Sequence, residues 1–521
     1  MLRQHWLTSE TISVLVLAVA IPLMLYFLQG NIDFNIADEG YIWYGIEQTI
    51  HIDAVPMRDY RAYDPGRYYW AAAWATLFGD GLLSFRLSSV ILQSIGLLAG
   101  LLAIHMVTRR KAILFAATLV LALWMIPRHK MVESSFAMLA VYFAAQLIQY
   151  PTRRKHFLIG VVVGLAAFFG RNLGVYGVLG SCVVILYIQI KIVHQSVRQV
   201  LEYWLIWLSG IVAGYLPMFL MIILIPGFAN AFGDSILFWL RQDETNISMP
   251  VIWPWLVFSR PGTFADTLSQ FSAGLVFLIA PLLYGLTLLK SFLSSFKKDR
   301  TTPGKALLFA SAAVGIFYLH HAFSRADIAH LGQSAQPFLL GVIALPFAYR
   351  FRMPRLMGVG VTTFLAFITV GIWFVSHFTN LVLNASTYTP YEIEDQKIII
   401  PKPQANYLET VQDFVQTSVG SDESVLIIPY EPGLYPIIGQ PSPIWDTYLL
   451  WKATETEQNL AIQQLAAKHA NWIILDDYPV DGRQDFRLSN IYPLLWDFIE
   501  NNYQTISGVA LPATHKLLKR K

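Results

Sequence analysis

The sequence has one cysteine, Cys182, set in an apolar run, and only 14% of its 521 residues are charged. A lone cysteine excludes an intrachain disulfide and leaves the redox compartment unread. Ordinary soluble chains carry about 25% Asp, Glu, Lys and Arg. Such scarcity, beside 55% hydrophobic residues, excludes a disordered chain, a disulfide scaffold and a cytosolic enzyme. Internal repeats and low-complexity tracts are also missing. What is present is the composition of a polytopic membrane protein. Its net charge of +3 hides a division: residues 1–377 carry 27 Lys and Arg against 17 Asp and Glu, whereas 378–521 carry 10 against 17. The two parts are built for different surroundings.

Apolar runs fit to cross about 30 Å of hydrocarbon lie near 11–28, 82–106, 112–127, 132–149, 157–170, 173–190, 201–225, 270–289, 306–320, 336–349 and 356–377, about eleven in all. Several are shorter than about 17 residues, so their ends must extend into polar flanks. Lys and Arg gather in alternate loops: Arg3; Arg109, Arg110 and Lys111; Arg153, Arg154 and Lys155; Lys191 and Arg198; Lys290, Lys297, Lys298, Arg300 and Lys305; Arg350, Arg352 and Arg355. These loops are expected on the cytoplasmic side, with the N-terminus inside. The first span follows a short basic stretch and no small-residue cleavage site follows it, so a retained anchor is expected.

That orientation puts 29–81, 127–131, 226–269 and 321–335 outside, together with 378–521. Trp43, Trp70, Trp74, Trp253 and Trp255 in these loops suit half-buried helices at headgroup level. From residue 378 the pattern becomes α/β: a helix over 406–419, a strand over 425–430, a loop with Pro and Gly over 431–443, a helix over 455–470 and a strand over 472–477. About 140 residues suffice for a small folded domain. The expected fold is therefore a mainly α polytopic membrane domain, 1–377, followed by a small extracytoplasmic α/β domain, 378–521. Asp476 and Asp477 read as a strand terminus.

Ionisable residues concentrate in the first outer loop: Asp38 and Glu39, then Arg58, Asp59 and Arg61, then Tyr63, Asp64, Arg67, Tyr68, Tyr69 and Trp70. Adjacent carboxylates just beyond a span are costly to desolvate unless they bind a cation, pair with Arg or move a proton. A second concentration is His320, His321, Ser324, Arg325, Asp327 and His330 between two apolar runs. Arg offers phosphate a planar donor fork, and His adds charge or a neutral donor. Arg171, beside Asn172 at an outer turn, and Arg128, His129 and Lys130 at another, suit snorkelling or helix-end roles and are also within the repertoire for phosphate.

Asp38-Glu39-Gly40 some ten residues after the first span, followed about 25 residues later by Asp64-Pro65 running into Tyr68-Tyr69-Trp70, resembles the GT-C integral-membrane glycosyltransferases. Within that class the loop is most similar to the protein O-mannosyltransferases and lipid A aminoarabinose transferases, which use polyprenyl-phosphate sugars. Where the latter carry Glu-Lys-Pro before the aromatic triplet, this chain has Asp64-Pro65 with Arg67 beyond. The donor sugar, hexosyl or pentosyl, is therefore left open.

Sugar transfer from a lipid phosphate expels a group whose conjugate acid is already fairly strong, so neutralising its charge matters more than protonating it. The acceptor hydroxyl must lose its proton, which calls for a carboxylate. The resemblance implies Asp38 as base and one inverting displacement, with Glu39 as its neighbour, or both holding a divalent cation. Arg67, Arg325, His330 and Arg171 are the expected phosphate ligands; Asp64, Asp327, Tyr63 and His321 shape the site. The implied partners are a polyprenyl-phosphate sugar, a lipid, glycan or protein acceptor and the bilayer of a bacterial inner membrane, with no nucleic acid. A transporter or flippase of a lipid-linked or anionic solute is the alternative. It would favour ionisable groups deep in broken, repeated helices. A noncatalytic scaffold would instead tolerate loss of Asp38 and Glu39.

Overall fold

The computed structural model describes residues 9–192, 196–242, 246–259, 261–293, 301–349, 351 and 353–521. Of the loop cations above, Arg3, Lys297, Lys298, Arg300, Arg350 and Arg352 lie outside these residues. The chain forms two compact units, Met1–Gly30 with Arg86–Asn380, and Asn31–Phe85 with Leu381–Lys521. The first outer loop is thus built into the second unit.

All eleven apolar runs fall on helices. Seven among the described residues are long and apolar enough to cross a membrane: Ser9–Gln29, Leu82–His105, Arg128–Gln149, Arg171–Ile192, Phe264–Leu293, Pro303–Ser324 and Pro354–Trp373. Two pairs, Val197–Gly214 with Leu216–Leu224 and Ile328–Ser334 with Gln336–Ala348, pass the same test but bend by 55° and 56°. Counting each pair as one span gives nine, below the eleven expected. The remaining two runs form Lys111–Leu123 and Arg153–Phe169. At about 1.5 Å per residue they reach only about 20–25 Å. Run 112–127 loses its end at Pro127, which has no N–H for a helix to use.

The polytopic, mainly helical character follows from where the apolar side chains go. Pro303–Ser324 is enclosed along much of its length, from Ala306 through Gly315, because these residues are mostly apolar on every side. Ser9–Gln29 instead exposes Ile12, Leu15, Val16, Val19, Met24 and Phe27, a face suited to hydrocarbon. Helices Arg153–Phe169 and Val197–Gly214 approach closely enough that a Cβ on Gly164 would lie 2.1 Å from the Ile211 carbonyl oxygen, and one on Gly214 2.2 Å from that of Val161. Small residues four apart let backbones meet without a hydrophobic driving force between helices. Gly164→Val should separate this pair and destabilise the unit by about 1–3 kcal/mol, read as a lowered unfolding midpoint in detergent; an unchanged midpoint would refute the close packing.

The second unit has six strands: β1 (Tyr388–Ile393), β2 (Gln396–Pro401), β3 (Ser424–Ile428), β4 (Ala470–Asp476), β5 (Tyr503–Ile506) and β6 (His515–Arg520). β1 and β2 form an antiparallel hairpin; the main sheet runs β3-β4-β6-β5, with β3 and β4 parallel and the other pairs antiparallel. Alternation sends Val425, Ile427, Trp472 and Ile474 to one face and Leu426, Ile428, Ile473 and Leu475 to the other. The second face packs on Ala461 and Leu465 of Glu455–Ala467 and Leu495 and Ile499 of Pro493–Asn502. The first packs on Leu408, Val411 and Phe414 of Lys402–Ser418, joined by Tyr41, Ile42, Trp43, Tyr44 and Tyr68 from the first loop. Asn31–Asp33 also runs beside β2, the Asp33 amide donating to the Ile399 carbonyl at 2.7 Å and the Ile399 amide to that of Asn31 at 2.8 Å.

The expected helices and strands of this region are present with ends shifted by a few residues, while the 431–443 loop contains a short helix, Leu434–Ile438. Trp43 is a correction: it is fully enclosed and donates its indole N–H to Glu47 at 2.8 Å, so it anchors this core rather than a membrane interface.

Candidate functional site

Asp38 and Glu39 begin the helix Asp38–His51, where the helix dipole favours negative charge. The Asp38 amide donates to Asn35 Oδ1 at 2.8 Å, and the Asn35 amide donates to Glu39 Oε2 at 3.4 Å. Glu39 is fully buried. The turn therefore fixes the Asp38 backbone and the Glu39 carboxylate. The helix enters beside the loop before Leu434–Ile438: a Cβ on Gly40 would fall 2.5 Å from the Gly433 Cα. Glycine at both positions permits that approach.

Asp38 is also held through its side chain. The Tyr448 hydroxyl donates to Asp38 Oδ1 at 2.5 Å. Tyr448 stacks on Tyr41 with centroids 4.7 Å apart, and Tyr41 meets the edge of Tyr63 at 5.2 Å. Burial, with the Asp38 charge added, pushes the Tyr448 hydroxyl well above the ordinary tyrosine range, which keeps it a donor. The Tyr448 amide donates to Asp446 Oδ1 at 2.9 Å, while Asp446 Oδ2 accepts from Tyr492 at 2.8 Å and from the Arg61 guanidinium. Burial works against the Arg61 charge, but Asp446, Tyr492 and Tyr41 around it hold its pKa above the ordinary arginine value. The Arg61 amide donates to the Trp445 carbonyl at 3.0 Å, and the Trp445 indole to the Arg58 carbonyl at 3.1 Å. Segments 58–61 and 445–448 are thereby tied together.

Asp64 and Arg67 flank the start of Gly66–Phe78 and are both buried. The Arg67 guanidinium lies 5.1 Å from the centroid of the Tyr63 ring, and the Tyr63 amide donates to the Tyr68 hydroxyl at 3.0 Å.

In the first unit, Asp327 caps the helix Ile328–Ser334. Its Oδ1 accepts from the His330 amide at 2.8 Å and lies 2.9 Å from His330 Nδ1. Its Oδ2 accepts from Arg325 Nε at 2.9 Å, and Arg325 also donates to the Ile247 carbonyl at 3.2 Å. His330 Nε2 is 3.0 Å from the side-chain Nδ2 of Asn246, and the His321 ring is 5.3 Å from that of His330 and hydrogen-bonds to Gln333 at 3.1 Å. Arg325, Asp327, His330 and His321 thus form one group, with Arg325 and His330 sharing a single carboxylate. Arg171 donates to Ser235 at 2.9 Å and sits 5.9 Å from the Phe232 ring. His320 bonds to Tyr176 at 2.8 Å.

Asp38, Glu39, Tyr63, Asp64 and Arg67 therefore lie in the second unit, and His321, Arg325, Asp327, His330 and Arg171 in the first. Tyr448, Asp446 and Tyr492 were missed as partners of the loop. An uncharged tyrosine some 400 residues distant from Asp38 carries no local signal; the Asp-x-Tyr spacing of 446 and 448 would have been the only hint.

No protein-family description matches the chain, and no curated protein matches its sequence. Its structure is similar to that of ArnT from Cupriavidus metallidurans bound to undecaprenyl phosphate, with a TM-score of 0.55, 12% identity, and 97% of each chain covered. The apo state of that ArnT gives a TM-score of 0.52 at 14% identity over 98% of both chains. The oligosaccharyltransferase of Archaeoglobus fulgidus in its apo form gives 0.49 at 12% identity, over 98% of this chain and 76% of that one. The chain has the fold of the ArnT structures, the GT-C fold that its first loop resembles.

Proposed function

We propose, from the fold shared with an ArnT bound to undecaprenyl phosphate, that this protein transfers a sugar from a polyprenyl-phosphate donor to a hydroxyl of a lipid, glycan or protein acceptor. The observation that carries the reading is Asp38, fixed by backbone and tyrosine at the start of a helix within that fold. Asp38 takes the acceptor proton as the hydroxyl attacks the anomeric carbon, and the sugar–phosphate bond breaks from the opposite side, with inversion. The departing phosphate keeps its electron pair, and cations offset its charge, the candidates being Arg67 in the second unit and Arg325, His330 and Arg171 in the first. Glu39, Asp64, Tyr63, Asp327 and His321 hold these groups in place, and Asp38 with Glu39 is where a divalent cation would bind. In this reading 1–377 is the catalytic membrane domain with loop 29–81 supplying carboxylates, and 378–521 is an extracytoplasmic domain. The protein crosses a bacterial inner membrane many times, with its N-terminus in the cytoplasm.

The test is transfer in proteoliposomes from polyprenyl phosphate carrying a radiolabelled sugar. Label should leave the carrier for an acceptor in a bacterial envelope extract. Arg325→Ala should lower kcat/KM by about 10- to 100-fold, as befits a charge-assisted hydrogen bond of about 1.5–3 kcal/mol, in protein whose unfolding profile is retained. Movement of the intact labelled lipid between leaflets without cleavage would overturn the reading in favour of a flippase.

A further inference from the structure

Away from Asp38, the carboxyl ends of the two parallel strands hold a second ionisable group. Glu431 follows β3, Asp476 ends β4 and His515 begins β6. His515 Nε2 lies 3.2 Å from Glu431 Oε2, and His515 Nδ1 lies 3.7 Å from Asp476 Oδ1. One donor atom from each residue can be chosen so that all three lie within 4.8 Å of one another. The side chains are 8%, 14% and 10% exposed for His515, Glu431 and Asp476.

Their charge balance differs from that of neighbouring aspartates. Asp446 is paired with Arg61, and Asp477 with Arg487 and Lys516. Among the described residues neither Glu431 nor Asp476 meets a Lys or Arg; besides His515, they receive only the Tyr407 hydroxyl, at 2.7 Å, and the Tyr478 amide, at 3.2 Å. Two largely buried carboxylates sharing one imidazole carry more negative charge than even a protonated ring offsets.

We propose that Glu431, Asp476 and His515 bind a divalent transition-metal ion, zinc or manganese, which fastens the ends of β3, β4 and β6 together. Metal–ligand bonds of about 2.1 Å place adjacent donors about 3–3.5 Å apart; an ion on His515 Nε2 finds Glu431 Oε2 already at that spacing, 3.2 Å away, whereas the 3.7 Å contact of Asp476 is to the other ring nitrogen, so Asp476 closes on the ion from within the 4.8 Å that spans the three donors. One imidazole with two carboxylates suits a borderline cation better than calcium or magnesium, which prefer all-oxygen cages. Tyr407, donating to Glu431, orients that ligand as metal-bound carboxylates are commonly oriented. The ion is structural: Glu431 stands two residues before Gly433, whose amide donates to the Ile36 carbonyl at 3.0 Å and whose backbone abuts Gly40. Fixing Glu431 therefore fixes the loop against which the Asp38 helix starts.

The experiment uses the full chain in detergent, stripped with chelator and dialysed against Zn²⁺, Mn²⁺, Co²⁺ or Ca²⁺ separately, with bound metal counted by mass spectrometry. A second cluster, Glu47, His51 and Asp80, more exposed at His51 and Asp80, serves as the internal control. Wild type and His51→Ala should retain an equivalent of zinc or manganese that His515→Ala and Glu431→Gln lose, and zinc should raise the unfolding midpoint of wild type but not of Glu431→Gln. Co²⁺ bound by wild type should show visible absorption that disappears in His515→Ala. Absence of bound ion in wild type, equal binding by Glu431→Gln, loss with His51→Ala instead, or preference for Ca²⁺ would each overturn the proposal. Should His515→Ala fail to fold, Glu431→Gln, which still accepts from Tyr407, decides it.

Discussion

Replacing Asp38 by Asn should lower kcat by about 10²- to 10⁴-fold, the usual contribution of a positioned general base, with KM little changed. Asparagine keeps the shape of the side chain and an oxygen to accept from Tyr448, now at 2.5 Å from Asp38 Oδ1, so the turn and its stacked tyrosines stay in place. Only the capacity to take a proton is removed. Alanine would confuse the result, because it strands a buried tyrosine hydroxyl at a cost of about 1–3 kcal/mol. Tyr448→Phe separates positioning from chemistry. A hydrogen bond to an ionised carboxylate favours the ionised form, so its loss should move the acidic limb of the kcat/KM profile to higher pH while the plateau falls less than in Asp38→Asn. The measurements are single-turnover and steady-state transfer rates across pH. Full turnover by a folded Asp38→Asn protein would defeat the assignment of the base.

What the sequence made legible here follows from the range of the forces involved. Apolar runs declare helices because each helix satisfies its own backbone bonds, and all eleven runs are helical. Whether a helix spans depends on where it stops, and the helix in run 112–127 stops at Leu123. In the α/β part, 425–430 and 472–477 announced themselves as continuous apolar strands because both faces of β3 and β4 are covered. β5 at the edge and β6 beside it carry charged and polar residues such as Gln504, Lys516 and Lys519, and lack that signal. The fold of the GT-C type was legible through three short stretches of the first loop. The tyrosine and aspartate that hold Asp38 were not, since they come from 446–448 and pairing across such a separation leaves no periodicity to read. Trp43 shows the converse error: an amphipathic aromatic beside a span has the same composition at an interface and in a core, and only the partner, Glu47, tells them apart.

Arg61→Ala should destabilise the second unit by about 3–5 kcal/mol, as when one member of a buried ion pair is removed. Arg61 and Asp446 are only 16% and 13% exposed, so solvent cannot replace the lost guanidinium. Tyr492 and the Tyr448 amide would still donate to Asp446, but neither brings charge, and the carboxylate would be left buried without its cation. Asp446→Asn should cost a similar amount, because the buried Arg61 guanidinium loses the Asp446 charge, although the amide can still accept from Tyr492. Two units need not unfold together, so the readout is local: hydrogen exchange of 445–448 and of 58–61, segments joined by Arg61, Trp445 and Asp446. Protection should fall in both segments together, while the helices Arg153–Phe169 and Val197–Gly214 of the other unit exchange as in wild type. Activity should fall with it, because Asp446 holds the Tyr448 amide and Tyr448 holds Asp38. Unchanged exchange in Arg61→Ala would mean that aromatic packing around Tyr41 and Tyr448 alone holds the loop, and that the ion pair adds nothing to the placement of the base.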